Sequence, residues 1–186
     1  MAKGDELRVM TPEFMVSYPA VFEKKMTPSG KDRFSIQMVF DKTNTDLGKM
    51  KKAAQQCAIN KWGADKNKWP KGMRKPFRDG DVEDKGEMLH GKIFVNAATD
   101  YKPGLVNQDR EPIISDEDFY AGCFARATVV PFAYNTAGNS GVSFGLRNIQ
   151  LIRKGDRIGG GIAAEDEFES LASDSYEADS NNDDDF

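Results

Sequence analysis

Cysteine and histidine are almost missing from this chain of 186 residues, which holds two Cys (Cys57 and Cys123) and one His (His90). Neither cysteine belongs to a CxxC pair, so the clustered ligands of a zinc cage are lacking, and two free thiols suit a reducing compartment. No run of about 18 apolar residues is present to cross a membrane. Met1-Ala2-Lys3-Gly4-Asp5-Glu6 lacks the apolar stretch of a secretory signal. No GxxxxGKS or GxxxxGKT loop is there to cradle nucleotide phosphates, and His90 has no nucleophile near it in sequence. Asp79-Gly80-Asp81-Val82-Glu83-Asp84 begins like a calcium loop, but Asp84 stands at the sixth position, where the turn needs glycine. These absences argue for a non-enzymatic chain that needs neither metal nor cofactor.

What the chain does have is charge, unevenly placed. The net charge of −4 hides two regions. Residues 165–186 contain ten acids and no Lys or Arg, which leaves 26 basic and 20 acidic side chains in residues 1–164. A body of net charge +6 carrying an anionic tail points to a nucleic-acid partner. The tail has few large apolar residues, and its composition predicts disorder.

Hydrophobic periodicity gives the elements. Phe14, Val16, Tyr18, Ala20 and Phe22 fall on one face of an extended segment, with Pro12 and Pro19 placing it at an edge or bend. Phe34, Ile36, Met38 and Phe40 alternate with Arg33, Ser35, Gln37 and Val39, the pattern of a strand with one buried face. Residues 46–62 read as the main helix. Asn44 or Thr45 is its cap, Gly63 its stop, and Leu47, Met50, Ala54, Cys57 and Ala58 its core stripe. Residues 63–90 form a long polar connection. Strands are expected at 91–98, 119–134 and 141–153, the last two joined by a turn over 135–140. One helix among several long strands predicts a mainly β, OB-fold-like small barrel with one main α-helix. The domain is expected over 1–164, followed by a disordered acidic tail over 165–186.

Residues 49–78 hold ten basic side chains against one acid, Asp65. The candidates there are Lys49, Lys52, Lys61, Lys68, Arg74, Lys75 and Arg78, interleaved with Trp62, Trp69 and Phe77. Cations meet phosphates while rings stack on unpaired bases; Trp62 could equally close the helix end into the core. On the strand at 120–134, Ala121, Cys123, Ala125, Ala127, Val129 and Ala133 share one face. Tyr120, Phe124, Arg126, Phe132 and Tyr134 share the other, which is either an outward stacking platform or the barrel interior. Lys92, Phe94 and Tyr101 complete the candidate set. The tail residues Asp183, Asp184, Asp185 and Phe186 offer a ring among acids, suited to a partner pocket with an apolar slot and a basic rim, or to the body's own basic groove.

Four stretches carry a family resemblance: Ser17-Tyr18-Pro19-Ala20-Val21-Phe22, Phe77-Arg78-Asp79-Gly80-Asp81, Phe119 to Ala127 (FYAGCFARA), and Gly141 to Gln150 (GVSFGLRNIQ). With the acidic tail closed by Phe186, they make the chain similar to the single-stranded DNA-binding proteins of tailed bacteriophages. That resemblance implies an OB-fold and sequence-independent binding of single-stranded DNA in phage replication, recombination and repair. It also implies tail contacts with a polymerase, helicase or primase, a homodimer involving the tail, and a place in the cytoplasm of the infected bacterial host. It carries over no individual DNA contact, so the site residues rest on face and charge. An RNA-binding OB module, a metal-dependent nuclease using Asp79 or Asp81, and a scaffold that binds only proteins remain the alternatives.

Overall fold

The structure is a computed structural model and describes residues 5–136 and 138–159. The boundary expected after residue 164 and the tail with Asp183, Asp184, Asp185 and Phe186 lie outside the described residues. Among those described, the strands are β1 (Val9–Met10), β2 (Phe14–Met26), β3 (Asp32–Asp41), β4 (Arg78–Asp79), β5 (Lys92–Thr99), β6 (Gly104–Val106), β7 (Phe124–Thr136) and β8 (Asn139–Arg153). The helices are α1 (Gly48–Trp62) and the single turn α2 (Gly80–Glu83).

Five strands pair in a ring, in the order β7, β2, β3, β5, β8 and back to β7. The β5–β8 seam is parallel and the others in the ring are antiparallel. In chain order these strands run 1-2-3-5-4 around the ring, the path of the Greek-key OB barrel. Two seams are narrow. β2 meets β7 only at Phe14↔Ala125 and Met15↔Phe124, and β5 meets β8 only at Ala97↔Phe144 and Ala98↔Gly145. The barrel is therefore partly open, and the OB-like architecture read from the sequence holds.

Inside, Phe34, Ile36, Met38 and Phe40 of β3 are buried, as strict alternation requires. Val39, expected on the solvent face, is buried too. It joins Leu89 and Phe94 in a second small cluster, because residues 78–91 lie against this part of the sheet and β4 pairs with β5 at Arg78↔Phe94. α1 packs on β7, β8 and β1 through the expected stripe, with Met50, Ala54, Cys57 and Ala58 all buried. Gly63 ends it at φ 91, its N–H donating to the Ile59 carbonyl. The cap differs from expectation. Asp41 Oδ1 accepts from the backbone N–H groups of Thr43 and Asn44, fixing those residues in the preceding turn. The helix starts after Leu47, which makes no side-chain cap bond.

Two further expectations are corrected. Tyr18 does not join Phe14 and Val16 inside. Its φ is 43 and its ring is 80% exposed, because an extra residue enters β2 between the pairs Ser17↔Gln37 and Ala20↔Ser35 and interrupts the alternation. β7 starts at Phe124 rather than 119, and the hairpin to β8 pairs as far as Thr136↔Asn139, so the turn is tighter than 135–140. Residues 119–123 turn instead, under the chain leaving β8. Gly122 sits at φ +107, and a Cβ there would fall 1.9 Å from the Asp156 carbonyl oxygen.

Candidate nucleic-acid interface

The two faces of β7 differ in burial. Cys123, Ala125, Ala127 and Val129 are buried in the core, which turns Arg126, Phe132 and Tyr134 outward. Directly paired strand residues share a face, so the register carries this outer face around the barrel. Phe132 pairs with Ser143 of β8. The parallel β5–β8 register sets Asn96 beside Ser143. Asn96 pairs with Gln37, which donates to its Oδ1 at 3.3 Å, and Gln37 pairs with Ser17 of β2. The adjacent row runs Val130, Gly145, Ala98, Ser35 and Ala20. The two rows give a floor of mostly small or polar side chains that curves around the barrel across five strands, with Phe132 at the β7 end of one row and the buried Val130 and Ala20 at the ends of the other.

Walls rise from elsewhere. Arg74 is laid against β8: its N–H donates to the Ser140 carbonyl, and its own carbonyl accepts from Val142 N–H. A cleft of about 810 Å³ follows, lined among others by Arg74, Lys75, Phe77, Arg78, Lys85, Asn96, Tyr134 and Ser143, with Pro28 of the β2–β3 turn at its edge. Tyr134 lies 6.4 Å from Phe132, ring to ring. Gly141 is required here, since a Cβ would come within 2.6 Å of the Tyr134 hydroxyl and 2.7 Å of the Arg74 carbonyl oxygen. So Arg74, Lys75, Phe77, Arg78 and Tyr134, predicted from separate stretches, are brought to one cleft, and Phe132 stands beside it.

Their freedom to meet a ligand differs. Arg74 and Lys75 are exposed. Arg78 is held by both oxygens of Glu83 and stacks 4.7 Å above the Phe94 ring, and the paired guanidinium keeps the Glu83 carboxyl below its ordinary range. Behind them Lys42 bridges Asp79 and Asp81, each at 2.5 Å, which lowers both carboxyls and raises the lysine. This network anchors the wall formed by residues 78–91. Phe77 is half-buried, edge-on to Phe144 at 5.8 Å with Lys51 over its own ring.

Other predicted residues stand apart. Phe94 is a correction: it is fully buried beneath Arg78 and cannot stack on a base. Trp62 and Trp69 are half-buried against the core, Trp69 donating from Nε1 to the Gly63 carbonyl at 2.8 Å, so the packing reading of Trp62 describes its position. Lys49, Lys52 and Lys61 are exposed on α1 and Lys68 on the loop that follows. Lys92 is tied to Asp41 at 3.0 Å. Tyr120 and Phe124 lie at the opposite end of β7 from Phe132. Arg157 covers the Tyr120 ring at 4.2 Å and Arg153 the Phe124 ring at 3.7 Å, and the Tyr120 hydroxyl donates to the Gly155 carbonyl. Arg126 forks onto Gln150 on that same distant end. Tyr101 is 82% exposed and lines a separate small cleft with Lys102 and Arg147. Reading the sequence missed Asn96, Ser143 and Lys85 as site residues. Asn96 and Ser143 are signalled only by smallness or polarity at outward strand positions, which no motif records, and Lys85 is a lone cation in the loop after α2.

A family model described as "Enterobacter phage Enc34, ssDNA-binding protein" matches residues 7–185. A protein named p50 from Acyrthosiphon pisum secondary endosymbiont phage 1 is 28% identical over 176 residues, covering 89% of this chain and 95% of that protein. The solved single-stranded DNA-binding protein from bacteriophage Enc34, in complex with ssDNA, superposes with a TM-score of 0.70 at 18% identity, over 83% of this chain and 90% of that one. The single-stranded DNA-binding protein gp2.5 encoded by bacteriophage T7 superposes with a TM-score of 0.57 at 14% identity, over 91% and 98%. The two structural likenesses are likenesses of fold.

Proposed function

The chain belongs to the phage ssDNA-binding protein family typified by Enterobacter phage Enc34, and on that footing we propose that it binds single-stranded DNA, without sequence preference, along the floor between Phe132 and Ser17. The observation that carries this reading is the cleft itself. An exposed ring (Phe132), a half-buried one (Tyr134) and exposed cations (Arg74, Lys75) border a floor of small side chains, where bases can lie flat and phosphates meet charge. The backbone of β7 and β8 fixes the rings, so little ordering is required on binding. The role is passive. Binding holds the strand unpaired and releases counterions, and its place is in phage DNA replication, recombination and repair inside the infected bacterium. The acidic tail serves replication proteins such as a polymerase, helicase or primase, and competes with DNA for the basic groove. Homodimerisation belongs to the same reading.

The test is fluorescence anisotropy with labelled oligo-dT, a duplex and an RNA of equal length, using the full chain and a version ending at Ala164. Tight, salt-sensitive binding to the single DNA strand, strengthened without the tail, supports both parts. Preference for RNA, magnesium-dependent loss of the probe, or no binding at low salt overturns the reading in favour of an RNA module, a nuclease or a protein-only scaffold, respectively.

A further inference from the structure

We propose that Tyr18 is a second stacking residue, at the β2 end of the groove opposite Phe132 and Tyr134. This rests on the reading of the floor as the strand's path. Three observations converge. First, Tyr18 follows Ser17 directly, and Ser17 heads the row Ser17, Gln37, Asn96, Ser143, Phe132. Second, its ring is 80% exposed, whereas Phe14, Val16, Ala20 and Val21 around it in β2 are all buried. Third, its backbone is held at φ 43, a left-handed conformation that a bulky residue adopts at a cost. A side chain that contributes almost nothing to the core, on backbone that disfavours it, does not serve the fold. Strain of this kind collects at ligand sites.

The bulge supplies the mechanism. Without the extra residue, position 18 would oppose Ile36 and point inward with it. The added residue turns the ring to solvent. Measured along the curved barrel wall, the row from β7 to β2 crosses four strand spacings, an arc of about 19 Å. Rings at both ends would clamp a short run of unpaired nucleotides, and the small residues between would leave the intervening bases room.

The experiment compares wild type, Tyr18→Gly and Tyr18→Phe, reading Kd for labelled oligo-dT of about 16 nucleotides and Tm. Glycine relieves the left-handed strain and removes the ring. The expected result is opposite signs: Tyr18→Gly binds about 5- to 150-fold more weakly while its Tm stays at or above that of wild type, and Tyr18→Phe matches wild type in both. Unchanged affinity of Tyr18→Gly, with wild type binding tightly, overturns the role of Tyr18 and leaves the proposed function standing. A loss of affinity accompanied by a lowered Tm also overturns it, since Tyr18 would then be a fold residue. Failure of wild type itself to bind oligo-dT overturns the underlying reading as well.

Discussion

Phe132 and Phe94 are both ring candidates in the sequence, and truncating each to alanine separates a binding ring from a core ring. Phe94 has no exposed surface, packs with Val39 and Leu89, and supports the Arg78 guanidinium at 4.7 Å. Removing a buried phenyl ring costs about 3–5 kcal/mol. At about 2–4 °C per kcal/mol for a domain of this size, Phe94→Ala should lower Tm by about 10 °C. Below that transition it should still bind oligo-dT, because its ring never meets the strand. Phe132 is 42% exposed on the outer face of β7, with Tyr134 as its ring neighbour. Its truncation should cost the fold about 1 kcal/mol or less, yet remove a stacking contact worth about 1–3 kcal/mol, which weakens binding roughly 5- to 150-fold. Differential scanning calorimetry and anisotropy titration on both variants give the four numbers. If Phe132→Ala keeps wild-type affinity at matched salt, or if Phe94→Ala loses affinity without losing stability, the assignment of faces to functions is wrong.

Other consequences follow from the walls. Arg74→Ala or Lys75→Ala should each reduce the slope of log affinity against log salt by about 0.7, the signature of one lost phosphate contact on a single strand; a salt titration on each variant checks it. Gly141→Ala pushes against the Tyr134 hydroxyl and the Arg74 carbonyl. It should cost about 1–3 kcal/mol in stability and weaken oligo-dT binding by displacing both groups, as thermal melts and anisotropy on that variant would report. Asp79 and Asp81 are depressed by Lys42, so their contribution is present above the ordinary carboxylate value of about 4 and is lost as pH falls through their folded values. The raised Lys42 contributes below its ordinary value of about 10.4 and loses that contribution as pH rises through its folded value. Lys42→Met should therefore flatten Tm against pH at both extremes. Melting curves with the same acid limb for both proteins would show that the bridge does not anchor residues 78–91.

What was legible in the sequence was whatever repeats locally. The alternation at Phe34 to Phe40 and the stripe from Leu47 to Ala58 each state their own burial, because period two and period 3.6 are properties of a single segment. The inward turn of Ala125 and Ala127 was not local. It was decided when α1 and the ring of strands took that side of β7, and sequence left Phe132 and Tyr134 equally able to point in or out. Phe94 and Val95 show the same limit: two neighbours on opposite faces are both buried, because a distant segment, residues 78–91, covers the side that alternation assigns to water. The basic run at 49–78 looked like one footprint, but the fold divides it. Lys49 and Lys52 stay on α1, while Arg74 and Lys75 reach the cleft through two backbone bonds to β8. The floor was the least visible part of all. Ser35, Ala98, Ser143 and Gly145 bear no charge and no ring, and what they contribute is the absence of bulk. Sequence reading finds residues that act on a ligand by their chemistry; a groove is made as much by residues that leave space, and those become apparent only when pairing register sets them side by side.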